Sequence, residues 1–301
     1  MVSFAKGHGT ENDFVIIPDD EVTVALSDEV VAAICDRRRG LGADGLLRVS
    51  RAKDLLAAGE LEAIPEGVAE DDWFMDYRNA DGSIAEMCGN GVRVFAHYIG
   101  AFHSPESVVE GTLRVGTRAG LRAVTISELG AEHAVVGVDM GEPEVLGVGT
   151  AVVGAAEAQS FAGIGVDVGN PHLACVIPQL DSQTLAELDL QGPVAVAEEM
   201  FPNGVNLEVV TALDDSDAVS MRVIERGVGE TRSCGTGTVA AAIAALADAG
   251  RSEGKVRVKV PGGEVTVTVA EAAEGDPEVF HATLTGPSVI HTHGEIDLTA
   301  L

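Results

Sequence analysis

Short apolar runs broken by glycine and proline fill most of the chain. Residues 2–6, 14–17, 46–49 and 73–77 each place a few mostly apolar, often β-branched positions between polar turns, which predicts strands. Residues 113–117, 121–126 and 134–140 continue the series. Ser27, with Glu29 close behind, predicts the cap of a helix running to about Arg38. Val30, Val31 and Ile34 form its apolar face, with Cys35 beside them. Residues 92–99 and 239–246 are longer apolar runs, each introduced by a Gly-x-Gly turn, and read as helices. The second, rich in Ala and Val, is apolar nearly all round, as a helix enclosed by a sheet should be. Asp81-Gly82 is a tight corner. Residues 52–72, acidic and Ala-rich with Pro65 and Gly67, predict a solvated surface insertion holding one short helix.

The two helical runs are introduced by near copies of one motif. Met87-Cys88-Gly89-Asn90-Gly91 precedes the first and Ser233-Cys234-Gly235-Thr236-Gly237 the second. The cysteines stand 146 residues apart, close to half of the 301. The surrounding order repeats as well. Gly169-Asn170-Pro171-His172 opens a strand as Glu11-Asn12-Asp13-Phe14 does. Residues 204–209 correspond to 45–49, and nine positions before each cysteine stand Asn79 and Glu225. No shorter period appears, so the chain reads as a duplication and not a solenoid. The fold class is therefore mixed α/β, of the α+β kind. Two pseudo-symmetric halves are expected, each a twisted β-sheet or barrel wrapped around a central helix.

Composition narrows the function. The length fits two domains. Aromatic residues make up only 4%, so the cores should rest on Val, Leu, Ile and Ala. The net charge of −29 argues against nucleic acid and anionic membranes as partners. The N-terminus has no basic stretch followed by an apolar segment, and no run is long enough to span a bilayer, so a cytoplasmic protein is expected. Four cysteines in such a setting do not make a disulfide framework. No CxxC or HxxxH pair points to a metal.

A cysteine just before a Gly-x-Gly helix start can use the helix in three ways. The dipole stabilises a thiolate, the free amides of the first turn can hold a carboxylate, and the glycines admit close backbone approach. The dipole contributes roughly 0.3–2 kcal/mol, enough to lower a thiol from about 8.5 by around one pH unit. Two such thiols suit one reaction. One, as thiolate, removes a proton from carbon, and the other, as thiol, returns a proton to the opposite face, so that the stereocentre inverts. Sulfurs at near-attack distance from one carbon would lie roughly 6–7 Å apart. Other readings stand beside this one: buried structural thiols, which is the expectation for Cys35 and Cys175, a structural disulfide, or a single Cys-His nucleophile using His172 or His8. Arg226 beside Glu225 is a candidate carboxylate clamp next to an ammonium acceptor. Asn12, Asn79, Asn90, Asn170 and Asn206 fall in turns at matching places, where asparagine also serves the turn itself.

Taken together, the segments Lys6–Phe14, Asn79–Ser83, Met87–Arg93, Gly169–His172, Glu225–Thr231, Cys234–Gly237, Pro261-Gly262-Gly263 and Thr285-Gly286-Pro287 resemble the diaminopimelate epimerase family over nearly the whole chain. The resemblance implies a two-base epimerase independent of pyridoxal phosphate and of any other cofactor. Its substrate would be 2,6-diaminopimelate, a small molecule on the route to lysine and peptidoglycan precursors. It implies domains at 1–139, with 287–301 returning to the first, and at 140–286, with the active site in the cleft between them, and a homodimer. Cys88 and Cys234 would be the acid/base pair, supported by His172 and Glu225. Gly89, Asn90, Gly235 and Thr236 would meet the reacting carboxylate. Asn12, Asn79, Asn170, Asn206, Glu225 and Arg226 would bind the remainder of the substrate. Some family members carry Gln where this chain has Gly45, so that contact would be absent or replaced by backbone. A proline or hydroxyproline racemase is the nearest enzymatic alternative, and a non-catalytic amino-acid binding protein on the same fold is the alternative of another class.

Overall fold

A computed structural model describes residues 1–154, 158–271 and 280–301. The chain forms two compact units, Met1–Val138 with Gly286–Leu301 and Asp139–Thr285.

The first unit opens with a hairpin, β1 (Val2–Gly9) and β2 (Asn12–Pro18). The strands continue through the glycines that the sequence placed in a long turn. Only Thr10 and Glu11 turn the corner, both with positive φ, at 53° and 62°. Helix α1 (Asp28–Cys35) is capped by the Ser27 hydroxyl, which accepts from the Val30 amide. It ends at Cys35 and not near Arg38, because the Asp36 carboxylate accepts from the amides of Arg38 and Arg39 and diverts the chain. β3 (Gly45–Arg51) runs parallel to β2, and α2 (Ala52–Ala58) follows. β4 (Trp73–Asn79) runs antiparallel to β3. Then come α3 (Gly89–Tyr98), β5 (Thr112–Thr117) parallel to β4, and the antiparallel β6 (Gly120–Leu129) and β7 (His133–Gly141). Every residue of α3 is buried, and the helix packs against β1 through β6.

The second unit repeats this order after a long hairpin. β8 (Glu144–Val153) and β9 (Gln159–Asp167) pair antiparallel, and β9 pairs with β10 (Pro171–Ile177). Helix α4 (Ser182–Glu187), held by an Asp181 capping box, leads to the short β11 (Val194–Val196), which pairs with β8. β12 (Asn206–Thr211) runs parallel to β10, as β3 does to β2. β13 (Ala218–Glu225) is antiparallel to β12, and β14 (Gly229–Thr231) folds back on it. Helix α5 (Gly235–Asp248) is buried from Gly235 through Leu246 and packs against β9, β10, β12, β13, β15 (Gly254–Val260) and β16 (Gly263–Glu271). β15 is parallel to β13, as β5 is to β4. β17 (Phe280–Ile296) pairs with β16 through residues 280–285, and with β1 through residues 289–296.

Residues 52–72 do more than cover the surface. Ala52, Leu55 and Leu61 are buried against Phe74, with Val68 packed on the same cluster. Glu60 pairs with Arg48 Nη1 at 3.1 Å and Arg78 Nη2 at 2.7 Å. Both arginines also pair with Asp76, and Arg118 Nη1 approaches Asp76 at 2.6 Å. Asp19 approaches Arg48 Nε at 3.4 Å. Burial alone would push the Asp76 carboxyl up, but Arg118, Arg78 and Arg48 hold it below its ordinary range. The expected solvated loop is therefore one wall of a buried charge cluster. Among the described residues no helix is long and apolar enough to cross a membrane.

Candidate active site

In the first unit the motif folds as the sequence requires. Cys88 is the N-cap of α3, with extended backbone (φ −143°, ψ 116°), and its Sγ accepts from the Gly91 amide at 3.5 Å. Gly89 and Asn90 form the first turn behind it. The half-buried thiol faces Asn12, whose Oδ1 lies 3.7 Å from Sγ and accepts from Asn90 Nδ2 at 3.2 Å. Asn12 Nδ2 donates to Asp44 at 3.0 Å. Beneath the turn, the guanidinium of Arg93 is fully buried and donates to Thr10 Oγ1 and the Pro287 carbonyl. Burial pulls it down to about 10, against the opposing pull of Cys88. Gly9 leaves room here: a Cβ would lie 2.8 Å from Arg93 Nη2 and 3.1 Å from the Asn90 carbonyl oxygen. Asn79 holds its own turn, donating Nδ2 to Ser83 Oγ at 3.0 Å. At Gly45 no side chain fits, because a Cβ would lie 2.6 Å from the Tyr77 ring and 2.7 Å from the Arg78 carbonyl.

In the second unit Cys234 caps α5 with nearly the same geometry (φ −127°, ψ 118°), and its Sγ accepts from the Gly237 amide at 3.4 Å. Thr236 Oγ1 lies 3.5 Å from the sulfur. The surroundings differ from those of Cys88. Cys234 is buried, and burial first, then the carboxylates of Glu225 and Glu208, push its thiol well above the ordinary value. The contacts with Thr236 and the Gly237 amide oppose this without reversing it. The lowering expected from the helix dipole alone is thus overridden at Cys234.

Behind Cys234 runs a buried polar chain. Glu208 Oε1 lies 2.7 Å from His172 Nδ1, and His172 Nε2 lies 3.0 Å from Asn170 Oδ1. Burial, with Glu225 adding to it, pushes the Glu208 carboxyl up in spite of His172. Asn206 joins two strands, donating Nδ2 to the Pro171 carbonyl at 3.3 Å and accepting from the Arg226 amide at 2.9 Å. Glu225 accepts from the Thr231 hydroxyl. Arg226 is exposed, and its Nη1 donates to the Asn203 carbonyl at 2.9 Å. The two other cysteines are inert by construction: burial pushes Cys35 and Cys175 up to about 12. Among the described residues no group of three or more His, Cys, Asp or Glu is placed to hold a metal ion.

The first unit thus gathers Asn12, Cys88, Gly89 and Asn90, and the second gathers Asn170, His172, Cys234, Gly235 and Thr236, with Glu225 near enough to act on the thiol. Glu208 was missed by sequence reasoning. The signal was there: a single acid inside the apolar run Leu207-Glu208-Val209-Val210, where every neighbour is buried.

The family model described as diaminopimelate epimerase matches residues 4–146 and 164–289. A diaminopimelate epimerase of Mycolicibacterium gilvum is 57% identical over 298 residues, covering 98% of this chain and 97% of its own. One from Corynebacterium glutamicum strain R is 54% identical over 299 residues, covering 99% of each. Among solved structures, a probable proline racemase from Agrobacterium radiobacter superposes with a TM-score of 0.66 at 13% identity, covering 99% of this chain and 93% of its own. A PhzF-family phenazine biosynthesis protein from Bacillus anthracis gives 0.63 at 14%, covering 98% and 99%. At these identities the structural likeness shows the fold alone.

Proposed function

Since the chain belongs to the diaminopimelate epimerase family, a family of isomerases, we propose that it interconverts LL- and meso-2,6-diaminopimelate by a two-base reaction without pyridoxal phosphate. The observation that carries the reading is the matched pair of cysteine caps, each sulfur accepting from the amide of the third helical residue. One cysteine, as thiolate, takes the α-proton; the other, as thiol, gives its proton to the opposite face. The stereocentre inverts and the thiols exchange protonation states. Amides at Gly89-Asn90 and Gly235-Thr236 hold the reacting carboxylate, whose negative charge the helix N-termini favour. Asn12, Asn79, Asn170, Asn206, Glu225 and Arg226 bind the distal amino-acid end, with His172 and Glu225 supporting the reacting centre. Proline would leave those distal groups without partners, which disfavours the racemase alternative. The reaction serves lysine and peptidoglycan precursor synthesis in the cytoplasm, and the protein acts as a homodimer.

The test is NMR of the purified protein with LL-diaminopimelate in deuterated water, with reductant and no added cofactor. Loss of the α-proton signal with growth of the meso isomer is expected. Exchange on proline, and none on diaminopimelate, would overturn the substrate assignment. Binding of diaminopimelate without exchange would favour a non-catalytic binding protein.

A further inference from the structure

The two units differ most under their helix starts. In the first, Phe14 of β2 lies opposite Gly45 of β3, and Leu47, two residues on, reaches the helix start at Gly91. A Cβ at Gly91 would lie 3.4 Å from Leu47 Cδ2. In the second, His172 of β10 lies opposite Asn206 of β12, and Glu208, two residues on, reaches the helix start at Gly237. A Cβ there would lie 2.6 Å from Glu208 Oε1. An apolar pair in one unit is therefore an imidazole and a carboxyl in the other. Both are 0% exposed, and Glu208 Oε2 has no hydrogen-bond partner among the described residues.

Two buried groups of this kind must be neutral as a pair, since a net charge would stay without solvent. The Asn170 oxygen facing Nε2 fixes a hydrogen on that nitrogen. One further proton then lies between Nδ1 and Glu208 Oε1, either as carboxylic acid beside neutral imidazole or as carboxylate beside imidazolium. Both forms carry no net charge, and both keep Nε2 a donor. Asn170 has its oxygen committed to the imidazole, and its Nδ2 makes no hydrogen bond among the described residues.

We propose that Glu208 is a positioning residue for the Cys234 half of the reaction: by sharing one proton with His172 it locks Nε2–H onto the Asn170 oxygen, and so presents the Asn170 amide nitrogen to an anionic group of the ligand. This rests on the two-thiol reading above. Without Glu208 the imidazole can move its hydrogen to Nδ1, the Asn170 amide can turn over, and a carbonyl oxygen would meet the ligand instead.

The experiment combines kinetics with imidazole nitrogen NMR on protein carrying ¹⁵N-histidine, with Glu208→Leu, Glu208→Gln and, to assign the resonance, His172→Phe. The other titratable groups facing Glu208 are Glu225, Cys234 and Cys175, so spectra are taken from pH 6 to 9 to separate their titration from the tautomer. Wild-type His172 should keep Nε2 protonated throughout. Glu208→Leu should lose that lock and lower kcat/KM for diaminopimelate about 10- to 100-fold, chiefly through KM. Glu208→Gln, whose amide can donate to Nδ1, should keep the lock and stay within about fivefold of wild type. An unprotonated Nε2 in the wild type overturns the proposal, as does a Glu208→Leu protein with unchanged tautomer and kinetics. A Glu208→Gln protein as impaired as Glu208→Leu also overturns it. A wild-type protein with no turnover would refute the substrate reading instead, and the tautomer measurement would then decide the role of Glu208 alone.

Discussion

The same substitution at two equivalent glycines should have opposite outcomes. Gly91 and Gly237 are each the third residue of a central helix, and each donates its amide to the capping sulfur. At Gly91 a methyl group would meet Cys88 Cβ and Leu47 Cδ2 at 3.4 Å, ordinary contact distances. Alanine there should be neutral or stabilising by up to about 1 kcal/mol, from helix propensity. At Gly237 the methyl group would lie 2.6 Å from Glu208 Oε1, 3.2 Å from Cys234 Cβ and 3.3 Å from Cys234 Sγ. The carboxyl must retreat by about 0.8 Å to regain an ordinary contact, which breaks its 2.7 Å bond to His172. Losing a charge-assisted bond costs about 1.5–3 kcal/mol, and the propensity gain offsets about 1 of it. Gly237→Ala should therefore be net destabilising by about 0.5–2 kcal/mol and should also disturb the capping sulfur. Denaturant melts of both variants, with α-proton exchange rates, make the comparison. Equal effects on stability and exchange would refute the reasoning, because they would mean that the Glu208 carboxyl is not held in place.

Cys88→Ala and Cys234→Ala should each abolish epimerisation while leaving the circular dichroism spectrum and melting behaviour near wild type; normal turnover in either would rule out the two-thiol mechanism. Brief alkylation at pH 8, mapped by peptide mass spectrometry, should modify the half-exposed Cys88 first and leave Cys35 and Cys175 untouched, since burial holds those two near 12. Asp76→Asn should destabilise the protein by about 3–5 kcal/mol at neutral pH, because three arginines then lose their shared buried partner. The folded Asp76 carboxyl titrates below its unfolded value, so its contribution is present above the unfolded value and is lost as pH falls through the folded one. Acid melts of Asp76→Asn should lack that decline, and an unchanged acid limb would count against the cluster.

The sequence was most readable where one physical rule acted alone. The Ser27 cap, the strands of the first unit and the all-round apolar α5 follow from pattern and local chemistry. The capping role of both cysteines was likewise legible from Cys-Gly-x-Gly before an apolar run. The β8–β9 hairpin was not, because its residues are glycine-rich and mostly exposed or half-exposed, so alternation hardly shows. The burial of Leu55 and Leu61 was hidden by the acids around them. The acidity of Cys234 could not be read from its own helix, since Glu208 and Glu225 lie elsewhere in the chain and reach it only through the fold.

The segment 52–72 reaches inward through one side chain, and that bears on how such a segment is acquired. Arg48, Arg78 and Arg118 carry three positive charges, and Asp19, Asp76 and Glu60 carry three negative ones. Excising the segment removes Glu60 and leaves a surplus cation beside a buried wall. Loss of the loop should therefore be accompanied by a change at Arg48 or Arg78, which removes the surplus charge. Relatives lacking the loop should carry an uncharged residue at one of those two places.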